Sequence, residues 1–416
     1  MLRSQAREII MKVLFIGYVW PEPTSSAAGV RSWNIIHSLM AAQTQITFAS
    51  PSQVNSFTDS LSRKGIHTVT IQANDPSFDA FIKELDPQIV IFDRFVMEEQ
   101  FGWRVQENCP NALRLLDTQD LHFLRRSRQK ALESKEEPQL ITEDTYREIA
   151  SIYRCDLTLM ISDYEYKLLT SQFNIPSDLL LLQRLSYSAP KSPRSFHERD
   201  HFMMIGNFRH PPNRDGVLWF RDQIWPIIRK KLPQAEVHFY GAYPPKEMMS
   251  LTQKSSGLIV KGATPDQYLT LSQYRVNLAP LRFGAGIKGK ISDGWWTGTP
   301  VVTTSIGAEG MYEGLPFGGI IADRPEDFAN AAVQLYSDPN EWEQCQFRGQ
   351  KIIHQLYSES TNLMQRIHCI QSQLSTHRKN NFIGTLLSFH SMRSTKYFSK
   401  WIEEKSKRLS SQESHD

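Results

Sequence analysis

The chain repeats one pattern: a short apolar run, a turn, a helix-length segment, then another short apolar run. Runs rich in Val, Ile, Leu and Phe, without polar alternation, suit strands buried on both faces, as in a parallel sheet. The first series places strands at 12–17, 45–50, 66–71, 88–93, 112–117 and 156–162. A polar, Pro/Ser-rich break follows at 185–200 (LSYSAPKSPRSFHERD). The alternation then restarts at 201–206, 235–240, 257–261, 274–280, 300–305 and 319–322. Strands separated by helices must cross over, so the fold class is α/β, with mainly parallel sheets and helices on both faces. Two halves of similar size also fit the 416-residue length, which is too long for one ordinary domain. The expected boundaries are 11–190 for a first domain, 191–375 for a second and 376–416 for a basic helical tail.

Composition narrows the function classes. A formal net charge of +3 gives no long-range field to recruit nucleic acid, and no nucleic-acid partner is expected. The cysteines at 109, 155, 345 and 369 have neither metal spacing nor close pairing, which points to a reducing, cytoplasmic compartment. No run of 18 apolar residues is present, so no spanning helix is expected. MLRSQAREII carries charges throughout and VLFIGYVW ends without a small-residue cleavage site, so no signal peptide is expected. Met11 before KVLFIG reads as a start, which would make 1–10 an upstream extension.

Residues 280–310 carry the densest chemistry: PLRFGAGIKGKISDGWWTGTPVVTTSIGAEG. A strand ends, Gly284-Ala285-Gly286 turns the chain, and 287–296 has helical length. Gly298-Thr299-Pro300 stops that helix, and VVTT forms a further strand. A glycine turn feeding a helix presents backbone N–H groups at the positive dipole end. Lys288 and Lys290 add charge beside them, so the turn suits a phosphate. A glycine-rich turn with solvated surface lysines is the plain alternative. Gly284, Gly286 and Gly289 also spell GxGxxG, with Glu309 about 20 residues further on. That fingerprint belongs after a first strand, and Gly17-Tyr18-Val19-Trp20-Pro21 lacks it, so an NAD-dependent oxidoreductase ranks last.

The stretch strongly resembles the donor-binding segment of glycosyltransferase family 4 (group 1 type). The resemblance implies the GT-B fold: two Rossmann-like domains facing across a cleft. It also implies an enzyme that moves a sugar from a nucleotide-sugar donor to an acceptor hydroxyl, with retention. No cofactor and no metal are expected. In that family an acidic helix residue holds the ribose, and Asp293 occupies the matching position. The paired Glu eight residues earlier is replaced by Ala285. A basic residue in the turn at 205–213 matches Arg209. A second, Lys288 in preference to Lys290, would help it neutralise the diphosphate. Gly284 and Gly286 would line the donor, with Thr304 and Glu309 from the next turn. The segment LDTQDLHFLRR resembles a family segment on the acceptor side, where Asp120 and His122 would orient or deprotonate the hydroxyl. Gly29, in the loop at the same cleft, would allow close backbone approach. The acceptor, whether glycan, lipid or small molecule, stays open. So do two alternatives on the same architecture: a nucleotide-sugar epimerase, and a binding protein without turnover.

Three local expectations complete the reading. Ser162 and Glu165 form a capping box, and Asp323 caps the helix after 319–322. The tail 376–416 carries eight Lys/Arg against four Asp/Glu, interleaved with aromatic residues. It either packs back on the first domain or makes peripheral contact with an anionic membrane. Its end, SSQESHD, is expected to be disordered.

Overall fold

The computed structural model describes residues 10–188, 193–358 and 363–413. Residues 1–9 of the expected extension, the expected 190/191 boundary and residues 414–416 lie outside the described residues.

Two parallel sheets form. The first contains β1 (Lys12–Ile16), β2 (Gln45–Ser50), β3 (His67–Thr70), β4 (Ile89–Asp93), β5 (Leu113–Asp117), β6 (Leu157–Met160) and β7 (Leu180–Leu182), in the order β3-β2-β1-β4-β5-β6-β7. The second contains β8 (Asp200–Ile205), β9 (Val237–Tyr240), β10 (Leu258–Gly262), β11 (Tyr274–Ala279), β12 (Val301–Thr303) and β13 (Gly319–Ile321), in the order β10-β9-β8-β11-β12-β13. Twelve of these strands coincide with the apolar runs read from the sequence. The thirteenth, β7, is a three-residue edge strand that the sequence reading did not place, although the turn residues Pro176, Ser177 and Asp178 precede it.

The strand side chains show why both faces must be covered. Leu14, Ile16, Val90, Phe92 and Leu116 enter one core, and Val13, Phe15, Ile89, Ile91 and Leu115 enter the other. This is the period of two of a pleated strand with apolar residues on both sides. The second face is closed from far along the chain. Leu363, Ile367 and Ile370 of the helix Leu363–Ser372 pack into it. The chain therefore returns to the first domain after building the second. Each such fully buried aliphatic side chain contributes about 1.5–3 kcal/mol.

The tail follows the same route. Arg378 donates from Nε to Asp156 Oδ1 at 2.7 Å, and His377 Nε2 meets the Asp156 carbonyl at 2.8 Å. The long helix Phe382–Glu413 then lies over the helices Phe95–Asn108 and Glu143–Arg154. It extends through residues 410–413, which the sequence assigned to a disordered end. The expected 375/376 boundary falls inside the helix Leu374–Asn380. Asp323 does not cap the helix Pro325–Ser337. It accepts instead from the backbone N–H and hydroxyl of Ser305, at 2.8 and 2.6 Å.

In each sheet the strand order reverses between two central neighbours, β1/β4 in the first and β8/β11 in the second. Loops at such a switch point diverge and leave a crevice at the carboxyl ends of the strands. The loops after these four strands are where ligand chemistry belongs.

Candidate active site

The wall built by the first domain is acidic and already paired. Arg31, 1% exposed, donates to Asp117 Oδ1 at 2.6 Å, to the Leu159 carbonyl at 3.1 Å and to the Gln183 carbonyl. Past β5 the chain turns through Gln119, held at φ 63°, a strained angle for a side-chain-bearing residue. Its amide bridges Asp93 Oδ1 and Asp117 Oδ2, at 3.1 and 3.0 Å. Arg94, after β4, is also left-handed, at φ 72°.

The helix His122–Ser134 starts inside this wall. Glu148 accepts from the backbone N–H groups of His122 and Phe123, two of the donors a helix start leaves unpaired. Arg125 Nε lies 2.6 Å from Asp120 Oδ2, and His122 Nε2 lies 3.3 Å from Asp120 Oδ1. Burial raises the cost of charging Asp120. Arg125, then His122 and His210, outweigh that cost and hold its carboxyl well below the usual range. Burial, opposed by Asp120 and aided by Arg125, pulls His122 down to about 4, so its ring is neutral at pH 7.

The wall built by the second domain is basic and poorly paired. Lys290 Nζ donates to Asn213 Oδ1 at 2.7 Å, and the Asn213 amide donates to the Asn207 carbonyl at 2.8 Å. This lysine thus backs the loop after β8, and burial pushes its pKa down to about 8. Lys288 Nζ donates to the Gly286 carbonyl at 2.9 Å and lies 3.4 Å from the Glu309 carbonyl. Burial lowers its pKa too, against the attraction of Glu309. His210, an exposed residue, is drawn down to about 4 by desolvation and by Arg125.

The expected site residues separate into two groups. Asp120, His122, Gly286, Lys288 and Glu309 converge where the domains meet. A Cβ on Gly286, at φ 64°, would stand 2.9 Å from Asp120 Cβ, so only glycine fits there. The Gly286 N–H donates to Glu165 Oε1 at 2.8 Å, and the same oxygen accepts from Leu121 N at 2.9 Å. Glu165 therefore does not complete a capping box, and Ser162 makes no side-chain cap; the carboxylate ties the two domains instead. Arg128 grips Glu309 at both oxygens, at 2.7 and 2.8 Å, and donates to the Gly284 carbonyl at 2.9 Å. Ala285 packs against the first domain's core.

The other group has local partners. A Cβ on Gly29 would collide with the Glu22 backbone, so the close approach it permits is to its own loop. The Thr304 hydroxyl accepts from Gly307 N and donates to the Leu281 carbonyl, capping the turn Ser305–Ala308. Arg209 is exposed, 3.8 Å over the Tyr243 ring, and the Tyr243 hydroxyl reaches Glu22 Oε2 of the first domain at 3.0 Å. Asp293 accepts from the Tyr187 hydroxyl at 2.7 Å, and burial raises its carboxyl to about 7.

Sequence reasoning missed Lys290 as the partner of the 205–213 loop, along with His210, Arg125 and Arg128. The GIKGK spacing flagged both lysines; nothing local ranked Lys290 above Lys288. A cavity of about 650 Å³ opens beside the Arg128–Glu309 pair, lined from both domains by Asp163, Tyr164, Lys167, Ser305 and Met311.

Residues 199–338, from β8 to the end of the helix Pro325–Ser337, match the family model described as glycosyl transferases group 1. The second domain is a group 1 glycosyltransferase domain. The fold seen in solved glycosyltransferases extends over both domains. TarM of S. aureus, crystallised with fondaparinux, α-GlcNAc-glycerol and UDP, superposes with a TM-score of 0.68 at 9% identity, covering 87% of this chain and 100% of that one. HepE of Anabaena, crystallised with UDP and glucose, gives 0.64 at 12%, covering 88% and 99%. Sucrose-phosphate synthase of Thermosynechococcus elongatus gives 0.63 at 15%, covering 89% and 99%. At these identities the likeness carries the fold, GT-B, and not the substrates. A sequence search of curated proteins gives no match.

Proposed function

We propose that this glycosyltransferase moves a sugar from a nucleoside-diphosphate donor to an acceptor hydroxyl, with retention and without a metal. One observation carries the reading. Lys288 is buried and Lys290 half-buried in the turn and helix start that follow β11, each with uncharged oxygens as its hydrogen-bond partners. A buried cation without a bonded counter-charge is costly, and an arriving diphosphate would restore its charge balance. The departing diphosphate carries most of the negative charge developed in transfer, so cations held there favour the transition state. TarM and HepE bind UDP in their complexes, which supports a nucleoside diphosphate as the leaving group here.

On the opposite wall, Asp120 and His122 would orient the acceptor. Asp120 stays ionised and His122 stays neutral, so the pair offers an acceptor of hydrogen bonds and a proton relay at neutral pH. Asp293 would take the ribose hydroxyls by turning from Tyr187, and Arg209 would reach the diphosphate from the rim.

A thermal-shift panel with UDP, GDP, ADP, CMP and NAD tests the donor. A rise with one nucleoside diphosphate, growing with its concentration, is the expected result. A rise with NAD alone would overturn the reading. Transfer that persists in EDTA, with the anomer of the product matching the donor by NMR, checks the metal-free and retaining parts.

A further inference from the structure

The helix Phe382–Glu413 has two unlike faces. Its inner face is used: Ser388, Met392 and Ser399 are buried, Glu403 reaches the buried Arg104, and Lys396 reaches Glu107 at 2.8 Å. Its outer face is apolar and cationic. Phe382, Leu386, Phe389, Tyr397, Phe398 and Trp401 are 42–69% exposed. At 3.6 residues per turn, Phe382, Leu386, Phe389 and Tyr397 fall on one stripe opposite Ser388 and Ser399. Arg393, Lys400, Lys405, Lys407 and Arg408 are exposed on the same helix. The Arg393 guanidinium stands 4.0 Å over Phe389, and Lys405 Nζ stands 5.2 Å over Trp401. Glu404, the one exposed acid between Phe382 and Arg408, is bonded to Lys407 at 3.0 Å.

We propose that this outer face docks on an anionic lipid surface. Single exposed apolar residues are ordinary; six large apolar side chains on the exposed side of one helix, spread over roughly 30 Å at 1.5 Å per residue, are not. Aromatic rings interleaved with Lys and Arg suit the headgroup layer. There the rings enter the acyl boundary and the cations meet lipid phosphates. The charge selects the occupant. Pairing with a second copy through the same face would set these cations against each other, whereas an anionic bilayer complements all of them. The inner face, fixed by Arg104 and Glu107, holds the helix on the protein while the outer face meets lipid.

The test uses the full chain in vesicle co-sedimentation, with phosphatidylcholine alone and with about one third phosphatidylglycerol. The protein should pellet with the anionic vesicles at least about tenfold better than with neutral ones, and less well as salt rises. Phe389→Ser/Phe398→Ser/Trp401→Ser and, separately, Lys400→Glu/Lys405→Glu should each lower that binding by about tenfold. An unchanged melting temperature shows that these variants fold. Absence of vesicle binding, or binding by both variants as strong as that of the unsubstituted protein, overturns the proposal. So does a vesicle-free dimer in analytical ultracentrifugation that the aromatic variant dissolves, which would make the face a protein interface.

Discussion

The two walls of the cleft solve the same electrostatic problem in opposite ways. In the first domain the acidic groups have bonded partners: Asp117 has Arg31, Asp120 has Arg125, and Glu148, whose carboxyl burial pushes well up, has two backbone N–H groups. In the second domain Lys288 is buried and Lys290 half-buried, both bonded to neutral oxygens, and desolvation lowers both pKa values, for Lys288 against the attraction of Glu309. The satisfied wall is a rigid frame; the unsatisfied wall is a place for an anion. In a site of this kind the ligand's position is marked less by where charges are than by where they lack partners.

The largest effect should come from breaking the frame. Arg31→Ala strands the Asp117 carboxylate in the core and should cost about 3–5 kcal/mol in chemical denaturation. A cost under 1 kcal/mol would show that the first wall is less tightly paired than described. Next is the cationic wall. Lys290→Ala should weaken nucleoside-diphosphate binding by roughly 1.5–3 kcal/mol in calorimetry and leave the free nucleoside unaffected. Lys288→Ala should do the same if both lysines meet the diphosphate. Equal loss for nucleoside and diphosphate would move the lysines away from the phosphates.

The pH dependences separate the walls further. Lys290 in the free protein titrates near 8, so diphosphate affinity should decline as pH rises past that value. On the acidic side, an unfolded histidine takes up its proton near 6.5, and folded His122 only near 4. The unfolded state then binds more protons in that window, so stability should fall as pH drops from about 6.5 to 4. His122→Gln should flatten that slope. The smallest effect belongs to Asp293→Asn, which keeps an acceptor for Tyr187. Stability should change by less than about 1 kcal/mol, while nucleoside and nucleotide affinities fall together. Loss confined to phosphate-bearing ligands would remove Asp293 from the ribose.

The glycine-lysine turn after β11 was legible because it is local. The GAGIKGK turn, with its two lysines leading into a helix, is a feature of consecutive residues, and the structure places it at a switch point. The pairings were not legible. Glu165 sits three residues after Ser162, a spacing that reads as a cap, yet its carboxylate bridges residues 121 and 286. Thr304 and Gly29 are expected at the donor from the turn and the cleft loop that hold them; in the structure the Thr304 hydroxyl caps its own turn and Gly29 packs on its own loop. Glu309 could be placed near the site from its turn, but its partner, Arg128, is 181 residues away.

The sequence by itself determined the α/β class, the two sheets, nearly every strand and the family of the second domain. These follow from periodicity and short motifs, which act over a few residues at a time. Only the tertiary structure decided which charges are spent and which are free: that Asp120 is paired, that Lys290 lies under the loop after β8, and that the tail returns to the first domain with its aromatic face outward. Those outcomes depend on burial and on partners distant in the chain. A side chain's charge is cheap in water and costly in a cleft, and only the folded chain fixes which of the two it meets.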